Sequence, residues 1–213
     1  YHDKSPHSFT KKYEINLHNL LWSSICRRLL IDVSTVNKKQ NPRQIKSQEI
    51  KCDDGIFKYL QKSSNDNVYV SKTIDVKVSG INGGEIKNIF DHSKDTVLRV
   101  KDNTNSYIII DFKDKKVNLS KYYFSVPSQG TGKWSHYPKT WIIEGSNDSS
   151  DWTTIDERNN DSSLTNYSAS NTFDIKQNNN FYRYIRIKEI NSQSNGHMLL
   201  LSEIEFFGSI MNI

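Results

Sequence analysis

The chain of 213 residues is poor in the residues that staple, kink or anchor a protein: two Cys, four Pro, nine Gly and two Met. Cys26 and Cys52 both lie in the first quarter, so no disulfide can join the ends of the longer, later part of the chain. That scarcity favours a reducing compartment. No apolar run approaches the roughly 18 residues that a membrane-spanning helix requires, and no basic-then-apolar leader follows Tyr1. The expectation is a soluble protein with no transmembrane segment. A first residue other than Met suggests a fragment or a processed product. Histidines stand at 2, 7, 18, 92, 136 and 197, without the close spacing by which two imidazoles on one helix face hold zinc. Gly130-Thr131-Gly132-Lys133 resembles part of a phosphate loop, but Trp134 stands where Mg²⁺ needs a hydroxyl, and no helix pattern follows. No nucleophile elbow and no identifiable pair of catalytic acids occurs. An enzyme is not expected.

What the chain has is polar loop material around aromatic islands. Asn and Ser number 22 and 27, and such residues collect in turns. Hydrophobic residues make up 35% and aromatics 11%, which is enough to build a core and too much for a disordered chain. The net charge of +5 is unevenly spread. Residues 1–62 hold 12 Lys/Arg against 6 Asp/Glu, whereas residues 63–213 hold 17 against 18. The larger, aromatic-rich part has no excess of cations with which to displace counterions from phosphate, so nucleic acid is not an expected partner.

Leu17, Leu20, Leu21, Ile25 and Leu29 recur at helical steps and predict an amphipathic helix over Leu17–Ile31, followed by a polar linker containing Pro42. A second, short helix is predicted over Asp54–Lys62, capped by Asp53 or Asp54 and carrying Ile56, Phe57 and Leu60. From residue 66 the period changes to that of strands. Strands are predicted at 73–78, 107–112, 122–126, 140–144, 153–156, 172–175, 182–187 and 199–207, with turn residues between them and no helices. Seven or eight short strands read as an antiparallel sandwich or barrel. At Gly145-Ser146-Asn147-Asp148 a strand turns tightly. Gly145 is expected to supply a positive φ, and Ser146 to Asp148 to bond their own backbone. Trp141, Trp152 and Phe206 are expected in the core.

Four ordered stretches resemble the coagulation factor V/VIII type C, or discoidin, domain. They are Ser106-Tyr-Ile-Ile-Ile-Asp-Phe112, the Trp141 strand running into Glu144-Gly-Ser-Asn-Asp148 before Trp152, Phe181-Tyr-Arg-Tyr-Ile-Arg-Ile187, and Leu201-Ser-Glu-Ile-Glu-Phe-Phe-Gly208. The resemblance implies an all-β, eight-stranded antiparallel jelly-roll sandwich of the galactose-binding-like kind, here over 67–213. A short helical lead-in at 51–66 would precede it, and a basic helical segment with a linker at 1–50. It also implies a noncatalytic module that binds carbohydrate, phospholipid head groups or protein through loops at one end. Secreted members commonly join a cysteine at each end, and no cysteine follows the barrel here.

Leu21-Trp-Ser-Ser-Ile-Cys-Arg-Arg-Leu29 and Asp54-Gly-Ile-Phe-Lys-Tyr-Leu60 further resemble intracellular proteins that carry this domain after a BTB domain and its BACK extension. The expectation is therefore a cytoplasmic adaptor that recognises a protein partner. The alternative is an extracellular, lectin-like module that binds carbohydrate. On either reading the loops 129–137 and 191–198 offer the contacts: Trp134, His136 and Tyr137 as flat faces with polar tips, and Asn195 and His197 as hydrogen-bonding groups. Trp134 and Tyr137 can equally serve to cover the barrel end. The family resemblance also implies a possible structural calcium at Asp91, Asp95, Thr96 and Glu203, whose oxygens suit that ion. His92, Lys94 and Val97 depart from the pattern.

Overall fold

The computed structural model describes residues 48–101, 104, 106–128 and 136–213. They belong to one compact unit, Ser47–Ile213. The helix expected over 17–31 lies outside the described residues.

In chain order the elements are β1 (Ile50–Cys52), α1 (Ile56–Ser64), β2 (Asp75–Val78), β3 (Ile81–Gly84), a 3-10 turn (Ile86–Phe90), β4 (Leu98–Val100), β5 (Tyr107–Asp111), β6 (Lys115–Ser125), β7 (Pro138–Ser146), β8 (Thr153–Arg158), β9 (Ser170–Asp174), β10 (Tyr184–Ser192), β11 (Leu200–Leu201) and β12 (Glu203–Asn212). They form a four-stranded sheet β1-β12-β6-β9, a five-stranded sheet β2-β5-β10-β7-β8 and a small sheet β11-β4-β3. Neighbouring strands within each sheet run antiparallel. The all-β sandwich expected from strand periodicity is what the chain forms.

Alternation decides which face is buried, because successive side chains on a strand point to opposite sides. Ile108 and Ile110 of β5, Ile185 and Ile187 of β10, and Trp141 and Ile143 of β7 all turn inward. Against them β6 sets Tyr122 and Phe124, and β9 sets Phe173. The rings of Tyr122, Phe124, Trp141 and Phe173 lie 5.0 to 6.0 Å apart and interlock the two sheets. One chain of hydrogen bonds runs through this cluster. Trp141 Nε1 donates to the Tyr122 oxygen at 2.9 Å, Tyr122 donates to Asp156 Oδ2 at 2.6 Å, and Arg158 Nε donates to the same carboxylate at 2.7 Å. Burial, with Asp156 beside it, pushes the Tyr122 hydroxyl far above its ordinary pKa, so it stays protonated and donates.

The short helix differs from expectation at its cap. Neither Asp53 nor Asp54 caps it. Gly55 occupies the N-cap with φ 118 and no side-chain bond of its own. The carboxylate of Glu205, a strand residue 148 positions away, accepts the Phe57 N–H at 2.9 Å and the Lys58 N–H at 3.2 Å instead. A Cβ at residue 55 would lie 2.4 Å from that carboxylate, so Gly55 is also the residue that lets it approach. Phe57 then packs on Phe90, Phe112 and Phe206. With β1 paired to β12, α1 is joined to the sandwich rather than hanging before it.

The strand readings were right in place and differ in length: 73–78 and 107–112 form the shorter β2 and β5, while most of the later strands run longer than read. β6 begins at Lys115 rather than 122, β10 runs on to Ser192, and the last stretch divides into β11 and β12. Strands β1, β3 and β4 went unread because three or four residues, two of them glycine in β3, carry no legible alternation. Trp141 and Phe206 are buried as expected. Trp152 is not in the core: it lies half-buried on the outer face, with the Arg186 guanidinium 4.0 Å from its ring centre. Gly145 is also corrected. It needs no positive φ, but its added Cβ would lie 2.4 Å from the Tyr182 ring, so it is there for closeness. The expected side-chain bonding around the turn is present, with Ser146 and Asp148 accepting backbone N–H groups of residues 148–151.

Two outcomes are expected. Tyr122→Phe should lower unfolding free energy by about 1–3 kcal/mol in denaturant melts, because it strands the Trp141 N–H and takes one donor from Asp156, which keeps Arg158. The second concerns pH. Burial lifts the Glu205 carboxyl from its ordinary 4.5 to about 7 despite its backbone donors. The folded state therefore holds this proton more tightly than the unfolded chain. The associated stability is complete below about pH 4.5 and is lost as pH rises through about 7. His92, its pKa raised chiefly by the bond to Glu203, acts with the same sign. Denaturation midpoints should fall across that window and fall less in Glu205→Gln; equal slopes in both proteins would contradict the assignment.

Candidate functional site

The two long sheets bring the loop after β6, the loop before β7, the loop between β8 and β9, and the turn after β10 to one end of the sandwich. This rim is cross-tied. Gln193 of the turn gives its backbone N–H to Tyr137 O at 2.9 Å, and its side chain reaches Pro138 O at 3.2 Å and Asp161 O at 2.8 Å. His136 accepts from Leu200 N at 3.2 Å through its carbonyl, and its Nδ1 lies 3.0 Å from Ser194 Oγ. Lys94 reaches across to Ser168 O and Ser170 Oγ at 3.1 and 3.2 Å. The turn itself is closed by Ser192, which exchanges bonds with Gly196 at 2.8 to 3.2 Å and accepts from Asn195 N at 2.9 Å. Asn195 sits at its tip, exposed, in the left-handed region with φ 60, where Asn is better tolerated than most residues.

The residues expected to contact a ligand are thus sorted by the fold. His136 and Asn195 are carried by loops that bond to each other, His136 to Ser194, the neighbour of Asn195 in the chain. His197 belongs to the same turn, and its Nδ1 donates back to Ile190 O at 2.8 Å. Tyr137 is only 2% exposed and belongs to the core, so it covers the barrel end rather than offering a ring face. Trp134 lies outside the described residues. An aromatic that sequence reading missed takes the place of Tyr137: Tyr167, 54% exposed, at the tip of the loop between β8 and β9. Burial, with Tyr167 nearby, raises the Tyr137 hydroxyl above its ordinary pKa. The signal in the sequence was a lone aromatic inside an otherwise polar stretch, Thr165-Asn166-Tyr167-Ser168.

The four candidate calcium ligands each bond to neighbours within the protein. Asp91 spends its oxygens on Ser93 N at 2.9 Å and Thr96 Oγ1 at 2.7 Å. Asp95 accepts from the Ser128 hydroxyl. Glu203 is taken by His92, whose Nδ1 is 3.0 Å from Oε1 and whose Nε2 is 2.7 Å from Gln61 Oε1. Gln61 uses its own N–H₂ on Phe90 O at 2.9 Å, so both its oxygen and Glu203 face the imidazole as acceptors, and both ring nitrogens donate. A protonated histidine thereby ties α1, the 91–96 loop and β12 together. Among the described residues no group of three or more His, Cys, Asp or Glu side chains could hold a metal ion. Among the same residues no helix is long and apolar enough to cross a membrane.

Comparison with known proteins follows the same lines. Residues 70–204 match the family model described as F5/8 type C domain. A comparison with curated proteins gives no match. Among solved structures, CBM32-3 from a family 31 glycoside hydrolase of Clostridium perfringens is 15% identical, covers 68% of this chain and 97% of its own, and superposes with a TM-score of 0.53. CBM32-1 from a family 31 glycoside hydrolase of the same organism is 17% identical, with 64% and 94% covered and a TM-score of 0.50. The family 32 CBM from C. perfringens NanJ in complex with galactose is 11% identical, with 64% and 94% covered and a TM-score of 0.50.

Calcium gives a direct test of the loop. Asp91→Ala should lower the melting temperature equally in excess calcium and in chelator, since Asp91 serves Ser93 and Thr96. A loss seen only with calcium present would restore a metal to this loop.

Proposed function

We propose, since this chain belongs to the F5/8 type C domain family, that its sandwich is a noncatalytic recognition module whose rim takes a carbohydrate. The observation that carries the reading is the tied rim: His136 is bonded to Ser194, the residue before Asn195, on loops braced by Gln193, with the exposed Tyr167 ring on the neighbouring loop. Sugar recognition needs directional hydrogen bonds held in a fixed geometry beside an apolar face. His136 Nε2 and the Asn195 side-chain amide have no partner among the described residues, so both are available for hydroxyls. The likeness of the fold to a CBM solved in complex with galactose supports the same reading.

A protein partner in an intracellular adaptor is the second reading. It draws support from Cys52, a buried free thiol, since unpaired cysteines are commoner in reducing compartments. The stretch Asp54–Leu60 that resembled adaptor proteins commits Ile56, Phe57 and Leu60 to the sandwich core.

A glycan array separates the two. Saturable binding to neutral glycans is expected, weakened about tenfold by His136→Ala or Asn195→Ala, the effect of losing roughly 1.4 kcal/mol of hydrogen bonding each. Trp134→Ala reports whether that loop joins the site. Silence on the array together with specific protein capture through the same rim would replace the carbohydrate reading with the adaptor.

A further inference from the structure

Away from the rim, the outer face of the five-stranded sheet carries an open groove of about 330 Å³. It is lined by Asp75 and Lys77 of β2, Ile109 and Asp111 of β5, Tyr184 of β10, and Ser149 of the turn after β7. The strand register explains why these meet: Asp75 stands opposite Asp111 and Lys77 opposite Ile109 across β2–β5, while Tyr184 stands opposite Asp111 on the other side. The strand residues among them are on the outward face of a sheet whose inward residues include Ile108, Ile110 and Ile185 of the core.

Two features make this a shaped site rather than a bare sheet. Its walls are fixed. Arg183 grips Asp111 with two bonds at 2.8 and 2.9 Å, and its guanidinium lies 4.8 Å from the Tyr184 ring centre. Against the effect of burial, that grip and the Lys113 N–H hold the Asp111 carboxyl below the usual carboxylate range. On the far side the turn is stiffened by Asp148, which accepts the Ser150 and Asp151 N–H groups at 2.8 and 2.9 Å and presents Ser149 at φ 63. Its other polar groups are unspent. The Asp75 carboxylate, the Lys77 ammonium, the Ser149 hydroxyl and the Tyr184 hydroxyl make no hydrogen bond or ion pair among the described residues.

The charges also name the ligand class. Arg183 neutralises Asp111, and Asp75 and Lys77 cancel each other, so the groove has no net charge with which to select an ion. What it offers is acceptors and donors in near-equal number around a half-buried Ile109 and the Tyr184 ring, at the small end of ligand-sized cavities. We propose that this groove is a second saccharide subsite, taking one or two neutral sugar units, separate from the rim. The ligand class rests on the reading of the chain as a carbohydrate binder; the place does not.

The test is a heteronuclear NMR titration of the full chain with lactose and with N,N′-diacetylchitobiose. Saturable shifts are expected at the backbone amides of residues 75–77, 109–111, 149 and 184. Asp75→Ala combined with Lys77→Ala, both at the surface and harmless to packing, should weaken the groove response about tenfold and leave the rim amides as they were. His136→Ala with Asn195→Ala should do the reverse. Rim shifts without groove shifts would overturn the second subsite and leave the rim reading standing. Groove shifts without rim shifts would support the subsite and remove the rim. No shifts at either place would overturn both, and groove shifts unchanged by the Asp75/Lys77 double variant would overturn the assignment of the groove.

Discussion

A tyrosine hydroxyl from one sheet meets a carboxylate from the other in the middle of the sandwich. Tyr122 of β6 takes the Trp141 N–H and gives its own proton to Asp156, with Arg158 closing the set over the Phe173 ring. Two apolar faces pressed together are free to slide, since dispersion and hydrophobic burial have no direction. A buried polar chain is directional, and breaking its alignment leaves unsatisfied groups in a low-dielectric core. It therefore supplies what the aromatic cluster lacks: a fixed stacking of β6 and β9 against β7 and β8. The ends of those same strands carry the rim loops, so the geometry of His136, Asn195 and Tyr167 is inherited from this bolt.

Glu205, on β12 between β1 and β6, does comparable work. Its buried carboxylate satisfies N–H groups at the start of α1, which would otherwise face a core with no water to bond. Next to it the His92 clasp joins α1, the 91–96 loop and β12 by side chains alone. In the loop where the family resemblance implied calcium, His92 bonds Glu203, and Asp91 and Asp95 accept from neighbours within the protein. The outer sheet face shows a third arrangement. Ion pairs and ring contacts, Arg186 between Glu144 and Trp152 and Arg183 between Asp111 and Tyr184, cover the exposed strands and leave one groove uncovered.

Much of this was legible in the amino-acid order. A strand's pleat has a period of two, so the pattern of Ile108, Ile110, Ile185 and Ile187 states which face is buried without reference to any partner. The four motif stretches carried the family, and the turn after Gly145 carried its own hydrogen bonding. Of the rim, the two loops and the residues His136 and Asn195 were readable as polar or aromatic groups in turn-rich segments. The burial of Tyr137 was not legible by that logic, because a flat residue beside a strand looks the same whether it lids the barrel or faces out. Trp152 failed for the related reason that an aromatic near a strand start is also at home on the outer face over an arginine.

Local periodicity by itself determined the fold class, the burial of most strands and the identity of the loops, because each depends only on neighbours a few residues away. Only the tertiary structure decided that Glu205 caps a helix 148 positions earlier in the chain, that His92 bonds Glu203, and that Tyr167 comes to the rim. It alone set Asp75 and Lys77 beside Tyr184. Those contacts follow from strand register and sheet stacking, which are products of many weak interactions between distant segments, and no short stretch of sequence carries them.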